Sequence, residues 1–475
     1  MKKIHIIIGS GFMNYVFEKT NENIGCFAGL PTIFKSVNSL NLEDKFNDVS
    51  IRSTRINYYE IVKAQIVKTC LSLSDYVDIN TLNDDSIYRS EMGRIFSPET
   101  LRQKLDSLSR QTDILDTIDN INFEFLKKVK FQKEYYNGRW YIPMDCDVTP
   151  FINPDVKKEG ISRTYKRQDG YAPMMIYLGG YALCFELREG KQHSEKGTVE
   201  LFEKLFEKMD ELNLDYSKIL VRVDCAHDDK ELINLLIKKG VKFIIKANKR
   251  GKDYLDECKY MKKNYTPIIE KNGDKKYRHV EVNPNRKGVD STSIYAVYEL
   301  TEKLKGEEDS VLSFFSVDPN SEYYCKEPWI DYNLDIYYTN FNMDYLNKLN
   351  NDKISKLCIE AYHDHATSEQ YHSEVKTDMD MELLPSKYFS TNELILRISE
   401  ISYNILRKIS YMVVEIDTKI KRNKKKRIKR IRFKSVINWF LRIPCRIVSH
   451  AKKMIIMIKN SYSYFNTFIE IFNDI

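Results

Sequence analysis

The sequence predicts an α/β protein with helical regions at both ends, and three observations carry that reading. Strand-like and helix-like runs alternate from about residue 135 to 246 in the order three strands, helix, strand, helix, strand. A strand-rich stretch follows from about 250 to 340. Helical periodicity governs residues 1 to about 125 and resumes at about 343, continuing almost to the end.

The elements justify themselves in turn. Ser97 is an N-cap candidate, Pro98 suits a first helical position, and Leu101, Leu105 and Leu108 recur at helical spacing. Arg94, Arg102, Lys104 and Arg110 make this segment basic. Trp140–Thr149 reads as a strand carrying Asp145 and Asp147 near its end. Pro173–Leu178 and Tyr181–Leu187 read as a hairpin, with Gly179-Gly180 as the tight turn. A helix is expected from about Thr198 to Leu212 and a fourth strand at Ile219–Asp224, again ending in an acid. A helix around Lys230–Lys239 stops at Gly240, and Val241–Lys246 is the fifth strand. Tyr277–Val282, Ser293–Leu300, Ser310–Val317 and Leu334–Thr339 look like a β-rich insertion, and Pro385 and Pro444 punctuate the later helices. The order of the first five strands is that of a ribonuclease-H-like core. In that fold the first and fourth strands are neighbours, so Asp147 and Asp224 are expected at one end of the sheet. The expected organisation is a helical region at 1–130, core at 131–249, insertion at 250–342, core again at 343–400 and a basic helical region at 401–475.

Composition sets bounds. The 475 residues, 42% hydrophobic and 30% charged, suit a globular protein of about three domains. No apolar run reaches the roughly 18 residues of a membrane helix, and the apolar start at Ile4–Ile8 is too short for a signal peptide. Nine scattered cysteines without a C-x-x-C pair fit a reducing cytoplasm. Net charge is only +7, yet Lys419–Lys434 holds eleven Lys or Arg and no acid. Such a run is either a solvated face or a polyanion contact, and the other basic clusters favour a nucleic-acid partner.

The most telling stretch is Tyr362, His365, Glu369 and Lys376. At about 100° per residue, their spacing puts all four on one face of a continuous helix, with His372 beside them. The spacing Y-x2-H-x3-E-x6-K resembles the Y-R-E-K signature of DDE transposases, the cut-and-paste enzymes of bacterial insertion sequences. His365 stands where that signature has Arg. The resemblance covers about residues 90 to 460 and includes Asp145-Cys-Asp147-Val-Thr149, Lys157–Lys166, Asp169–Pro173, Glu186–Gly190 and Val221-Arg-Val-Asp224. It also includes Glu369–Asp378, Leu384–Ser386 and Phe389–Asn392. It implies a catalytic domain interrupted by the β-rich insertion, which accounts for the long interval between Asp224 and Glu369.

The resemblance assigns Asp147, Asp224 and Glu369 as catalytic, metal-holding acids, with Asp145 as the alternative first acid. Asp-Val-Thr at 147–149 matches the family's D-x-T. Three convergent carboxylates repel unless cations neutralise them. Hard divalent ions do so, and two Mg²⁺ or Mn²⁺ ions would serve an in-line phosphoryl displacement. Asp228 and Asp229 compete with Asp224, but they sit where a helix begins and suit capping.

Tyr362, His365 and Lys376 are the expected phosphate or base contacts, with a second basic surface at Arg163, Lys166 and Arg167. His365 offers no bidentate fork and, unperturbed, carries full charge only below about pH 6.5. Trp329 suits either a buried position or capture of a flipped base. The implied partners are double-stranded DNA, as element ends and target, and a second copy of the chain. The expected location is the cytoplasm, at the nucleoid. A zinc hydrolase built on His363, His365, His372 and His227 matches no ligand spacing, and Gly9-Ser-Gly11 lacks the remainder of a P-loop. A ribonuclease-H-like nuclease without transposition and a non-catalytic DNA-binding protein remain the rivals.

Overall fold

The computed structural model describes residues 4–6, 15–17, 19–46, 56–155, 157–193, 195–252, 254–270, 272–305, 329–346, 348–416, 430–450 and 453–475. The chain forms two compact units, Met1–Leu105 with Ile405–Ile475, and Asp106–Asn404.

The second unit is built on one large mixed sheet. Its strands are β1 (Glu134–Tyr136), β2 (Arg139–Val148), β3 (Met174–Leu178), β4 (Tyr181–Glu186), β5 (Ile219–Val223), β6 (Lys242–Lys246), β7 (Lys275–Val282), β8 (Tyr295–Lys305) and β9 (Trp329–Thr339). The spatial order is β4-β3-β2-β5-β6-β9-β8-β7, ending at a short strand, Ile268–Ile269, while β1 pairs with β2. The first three long strands are antiparallel, whereas β5 runs parallel to β2 and β6 parallel to β5. Helices α1 (Thr198–Met209) and α2 (Lys230–Lys239) make the two connections that parallel pairing demands. This is a ribonuclease-H-like strand order, as expected from the sequence. Strands β2, β3, β5 and β6 read as near-continuous apolar runs because they lie in the middle of the sheet.

The insertion strands do not form a sheet of their own. β9 pairs antiparallel with β6, so β7, β8 and β9 prolong the core sheet. The expected strand Ser310–Val317 lies outside the described residues.

The opposite edge, β4, is protected by α5 (Phe389–Ile416). Asn404 Oδ1 accepts the Ala182 N–H at 2.7 Å, and Glu400 Oε1 accepts the Phe185 N–H at 2.6 Å. Side chains of the helix thereby satisfy backbone groups that an open edge would offer to other chains. Burial pushes the Glu400 carboxyl up to about 8, against the pull of Arg397.

The first unit carries the basic helix foreseen at Pro98, with Ser97 Oγ accepting the Thr100 N–H and Leu101 and Leu105 buried. The C-terminal region departs from the all-helical expectation. After Pro444 the chain forms a β-hairpin, Cys445–His450 with Lys453–Ile458, which adds to a short strand at Ile24–Gly25. Proline ends the helical pattern, and Arg446–Ser449 and Lys453–Ile458 are rich in β-branched residues that suit strands.

Candidate active site at the ends of two parallel strands

Pairing of Cys146 with Val223 brings the next residues, Asp147 and Asp224, side by side where β2 and β5 end. The Val148 N–H donates to Asp147 Oδ1 at 2.7 Å. Asp224 caps the turn after β5, accepting the Ala226 N–H at 3.0 Å, and its Oδ1 lies 2.8 Å from His227 Nδ1. His227 is fully buried, which fixes the carboxylate it holds.

The two acids are electrostatically unequal. Burial and the neighbouring Asp224 charge push the Asp147 carboxyl up to about 6. Burial would raise Asp224 too, but the His227 hydrogen bond, the Ala226 N–H and nearby positive charge outweigh it and hold Asp224 below the usual range. A buried carboxyl raised by a neighbouring carboxylate charge invites a cation.

Asp145 has a different occupation. Its Oδ1 accepts Arg222 Nε at 2.7 Å and its Oδ2 accepts Arg222 Nη2 at 2.9 Å, while His365 Nδ1 lies 2.8 Å from Oδ1. Burial raises the Asp145 carboxyl, but Arg222 and His365 overcome it and lower it. Arg222 also donates through Nη1 to Glu134 and to the carbonyl of Ala361. With both oxygens committed to this buried network, Asp145 is poorly placed to serve as the alternative first metal ligand. Sequence reading gave Arg222 no role and weighed His227 only as a zinc ligand. The available signal for Arg222 was a lone charge inside the apolar run Ile219–Val223.

The ladder from Tyr362 to Lys376 is not the continuous α-helix that its spacing predicts. Helix α3 (Asn351–His363) gives way to a 3₁₀ turn at Asp364–Ala366, then α4 (Thr367–Ser373), then a π-helical turn at Glu374–Asp378. Each change of pitch rotates the residues beyond it, yet Tyr362, His365, His372 and Lys376 all still meet the end of β2. Tyr362 still faces the acid pair: burial first, then Asp224, Cys225 and Asp147, push its hydroxyl up. His372 is buried with Nδ1 3.7 Å from Asp147 Oδ2, and burial pushes it down to about 3. Lys376 Nζ donates to the Pro150 carbonyl at 2.8 Å and pairs with Glu382 at 2.8 Å. Glu369 is exposed on α4. Among the described residues, no group of three or more His, Cys, Asp or Glu side chains converges as a metal site.

Arg163, Lys166 and Arg167 are exposed on a hairpin whose turn also carries Tyr165. This basic hairpin lies close enough to the acids for Asp147 and Asp224 to act on Tyr165. Trp329 begins β9, but its side chain, like residues 417–429 of the basic run, lies outside the described residues. Among the described residues, no helix is long and apolar enough to cross a membrane.

The family model described as transposase DDE domain group 1 matches residues 29–282, more than half of the chain. The matched span takes in Asp147, Asp224 and the basic hairpin and ends before Glu369. Among curated proteins, none matches the sequence. A solved structure of a piggyBac transposase synaptic complex with hairpin DNA is similar at a TM-score of 0.40 and 11% identity, over 87% of this chain and 77% of that one. The chain belongs to the transposase DDE domain family.

Proposed function

We propose that this protein is the transposase of an insertion sequence, binding the terminal inverted repeats of its element and catalysing DNA cleavage and strand transfer. The observation that carries the reading is the Asp147–Asp224 pair, two facing carboxylates with a basic hairpin beside them. Glu369 is the proposed third acid. Divalent ions, two Mg²⁺ or Mn²⁺ held by these carboxylates, would neutralise charge and activate oxygen for in-line displacement at phosphorus. Water would break the P–O3′ bond to leave a 3′-hydroxyl, which would then attack a target phosphodiester.

Tyr362, Lys376, Arg163, Lys166 and Arg167 are assigned to the DNA near the cut, while His365, expected there too, is buried against Asp145 and positions that acid instead. Residues 131–249 and 343–400 form the catalytic core in this reading, 250–342 the insertion, 1–130 a flanking DNA-gripping region and 401–475 a basic C-terminal region. The working form is a homodimer on DNA at the nucleoid, because two element ends must be joined.

The test is incubation of purified protein with duplexes carrying the DNA that flanks its own reading frame, with Mg²⁺, Mn²⁺ or chelator. Metal-dependent 3′-end cleavage and joining, abolished in Asp147→Ala, Asp224→Ala and Glu369→Ala, is the expected result. Cleavage without joining would make the protein a nuclease of the same fold. Unchanged activities in all three variants would overturn the reading.

A further inference from the structure

We propose that Tyr165 is a substrate-positioning residue whose ring stacks on the nucleotide beside the scissile phosphate, held next to the acid pair by the turn Thr164–Arg167. The proposal rests on the transposase reading of Asp147 and Asp224 and names a contact that reading does not include.

The turn is built to hold its tip. The Arg167 N–H donates to the Thr164 carbonyl at 2.9 Å, and the Thr164 N–H and hydroxyl both donate to the Gln168 carbonyl, at 2.9 and 2.8 Å. Arg167 takes the left-handed conformation, φ 59°, which closes a three-residue hairpin loop. Thr164 is buried, so the turn is anchored from below. Tyr165 occupies its second position.

A large aromatic residue at a turn tip normally lies back on the protein. Tyr165 is 63% exposed. Its hydroxyl reaches to 3.4 Å from the carbonyl of Val148, the residue after Asp147. One end of the ring is therefore placed beside the acid pair while its surface is offered to solvent. Burial, Asp147 and Asp224 together push the hydroxyl up to about 12, so it stays protonated and acts as a donor rather than a nucleophile. Lys166 Nζ sits 5.9 Å from the ring centre and supplies the positive charge that a phosphate beside a stacked base requires. A neutral π-face next to a lysine is the chemistry that receives a nucleotide with little dependence on its sequence.

The experiment uses the full chain and a duplex of its own flanking DNA, with Mn²⁺ for cleavage and Ca²⁺ for binding. Tyr165→Ala should cleave about 10–100-fold more slowly, and Tyr165→Trp should stay within about threefold of wild type, as loss and retention of one stacking contact predict. A substrate with an abasic nucleotide beside the scissile phosphate should slow wild type by a similar factor and leave Tyr165→Ala no slower. A 2-aminopurine at that position should be quenched by wild type in Ca²⁺ and not by Tyr165→Ala. An unchanged melting temperature for Tyr165→Ala shows that folding is not the cause. Full activity of Tyr165→Ala, or losses that multiply between variant and abasic DNA, would overturn this proposal alone. Failure of wild type to cleave any flanking DNA would overturn both it and the transposase reading.

Discussion

Asp145 accepts two N–H groups of Arg222 across adjacent parallel strands, at 2.7 and 2.9 Å, and the pair is almost entirely shielded from water. Such a fork in the middle of a sheet fixes the register of β2 against β5, and that register is what aligns Asp147 with Asp224.

Arg222→Leu should therefore unfold the second unit readily. It leaves Asp145 buried without its main counter-charge, a change worth about 3–5 kcal/mol. Chemical denaturation should show the loss, and Asp145→Leu combined with Arg222→Leu should recover much of it. Equal losses for the single and double variants would show that the charge pair does not set stability.

The pH dependence of the cation-free protein follows from Asp147. Its folded carboxyl titrates near 6, above the ordinary 3.8 of an unfolded Asp. A raised carboxyl contributes stability that is fully present below the unfolded value and is lost as pH rises through the folded one. Stability should fall between about pH 4 and 6, by at most about 3 kcal/mol from this group. Asp147→Asn should flatten that part of the profile in thermal melts, and so should adding Mg²⁺ or Mn²⁺ to wild type. A profile unaltered by Asp147→Asn would refute the assignment.

His227 is expected to act on the reaction through Asp224, which it holds at 2.8 Å from a buried position. His227→Leu frees that carboxylate to turn away, and apparent affinity for Mn²⁺ should fall about 10–100-fold. Following the melting temperature during a Mn²⁺ titration measures this without an activity assay. His227→Gln, which keeps a hydrogen-bonding group, should lose less.

Lys376 has two roles that one variant separates. Its bond to the Pro150 carbonyl ties the π-helical turn to the segment after β2, and its charge is the expected phosphate contact. Lys376→Met should cost about 1 kcal/mol of stability. It should also reduce the slope of log affinity against log salt for duplex DNA by about 1. A changed stability with an unchanged slope would assign the residue to structure alone.

The core strands and their connections were legible because each leaves a local mark. Ile219–Val223 is a continuous apolar run but for Arg222, Gly179-Gly180 takes the positive φ of a tight hairpin turn, and Gly240 ends a helix at φ 73°. The strand order is the ribonuclease-H-like one, in which the first and fourth strands are neighbours, so the approach of Asp147 to Asp224 was an expectation from the fold, and the pairing of β2 with β5 agrees with it. The run from Tyr362 to Lys376 was legible as helix, but its changes of pitch were not. Spacing arithmetic assumes one pitch, and the 3₁₀ and π turns that alter it leave little signature in residue type.

By itself the sequence determined the strand order, the apolar faces and the acids that end two strands, since periodicity and turn chemistry act between near neighbours. Tertiary structure alone decided that Asp145 is bound to Arg222 while Asp147 is left beside Asp224. It also decided that the insertion prolongs the core sheet and that His227 grips Asp224. Those outcomes depend on which desolvated groups find partners across the fold, and burial makes that choice only after distant segments have met.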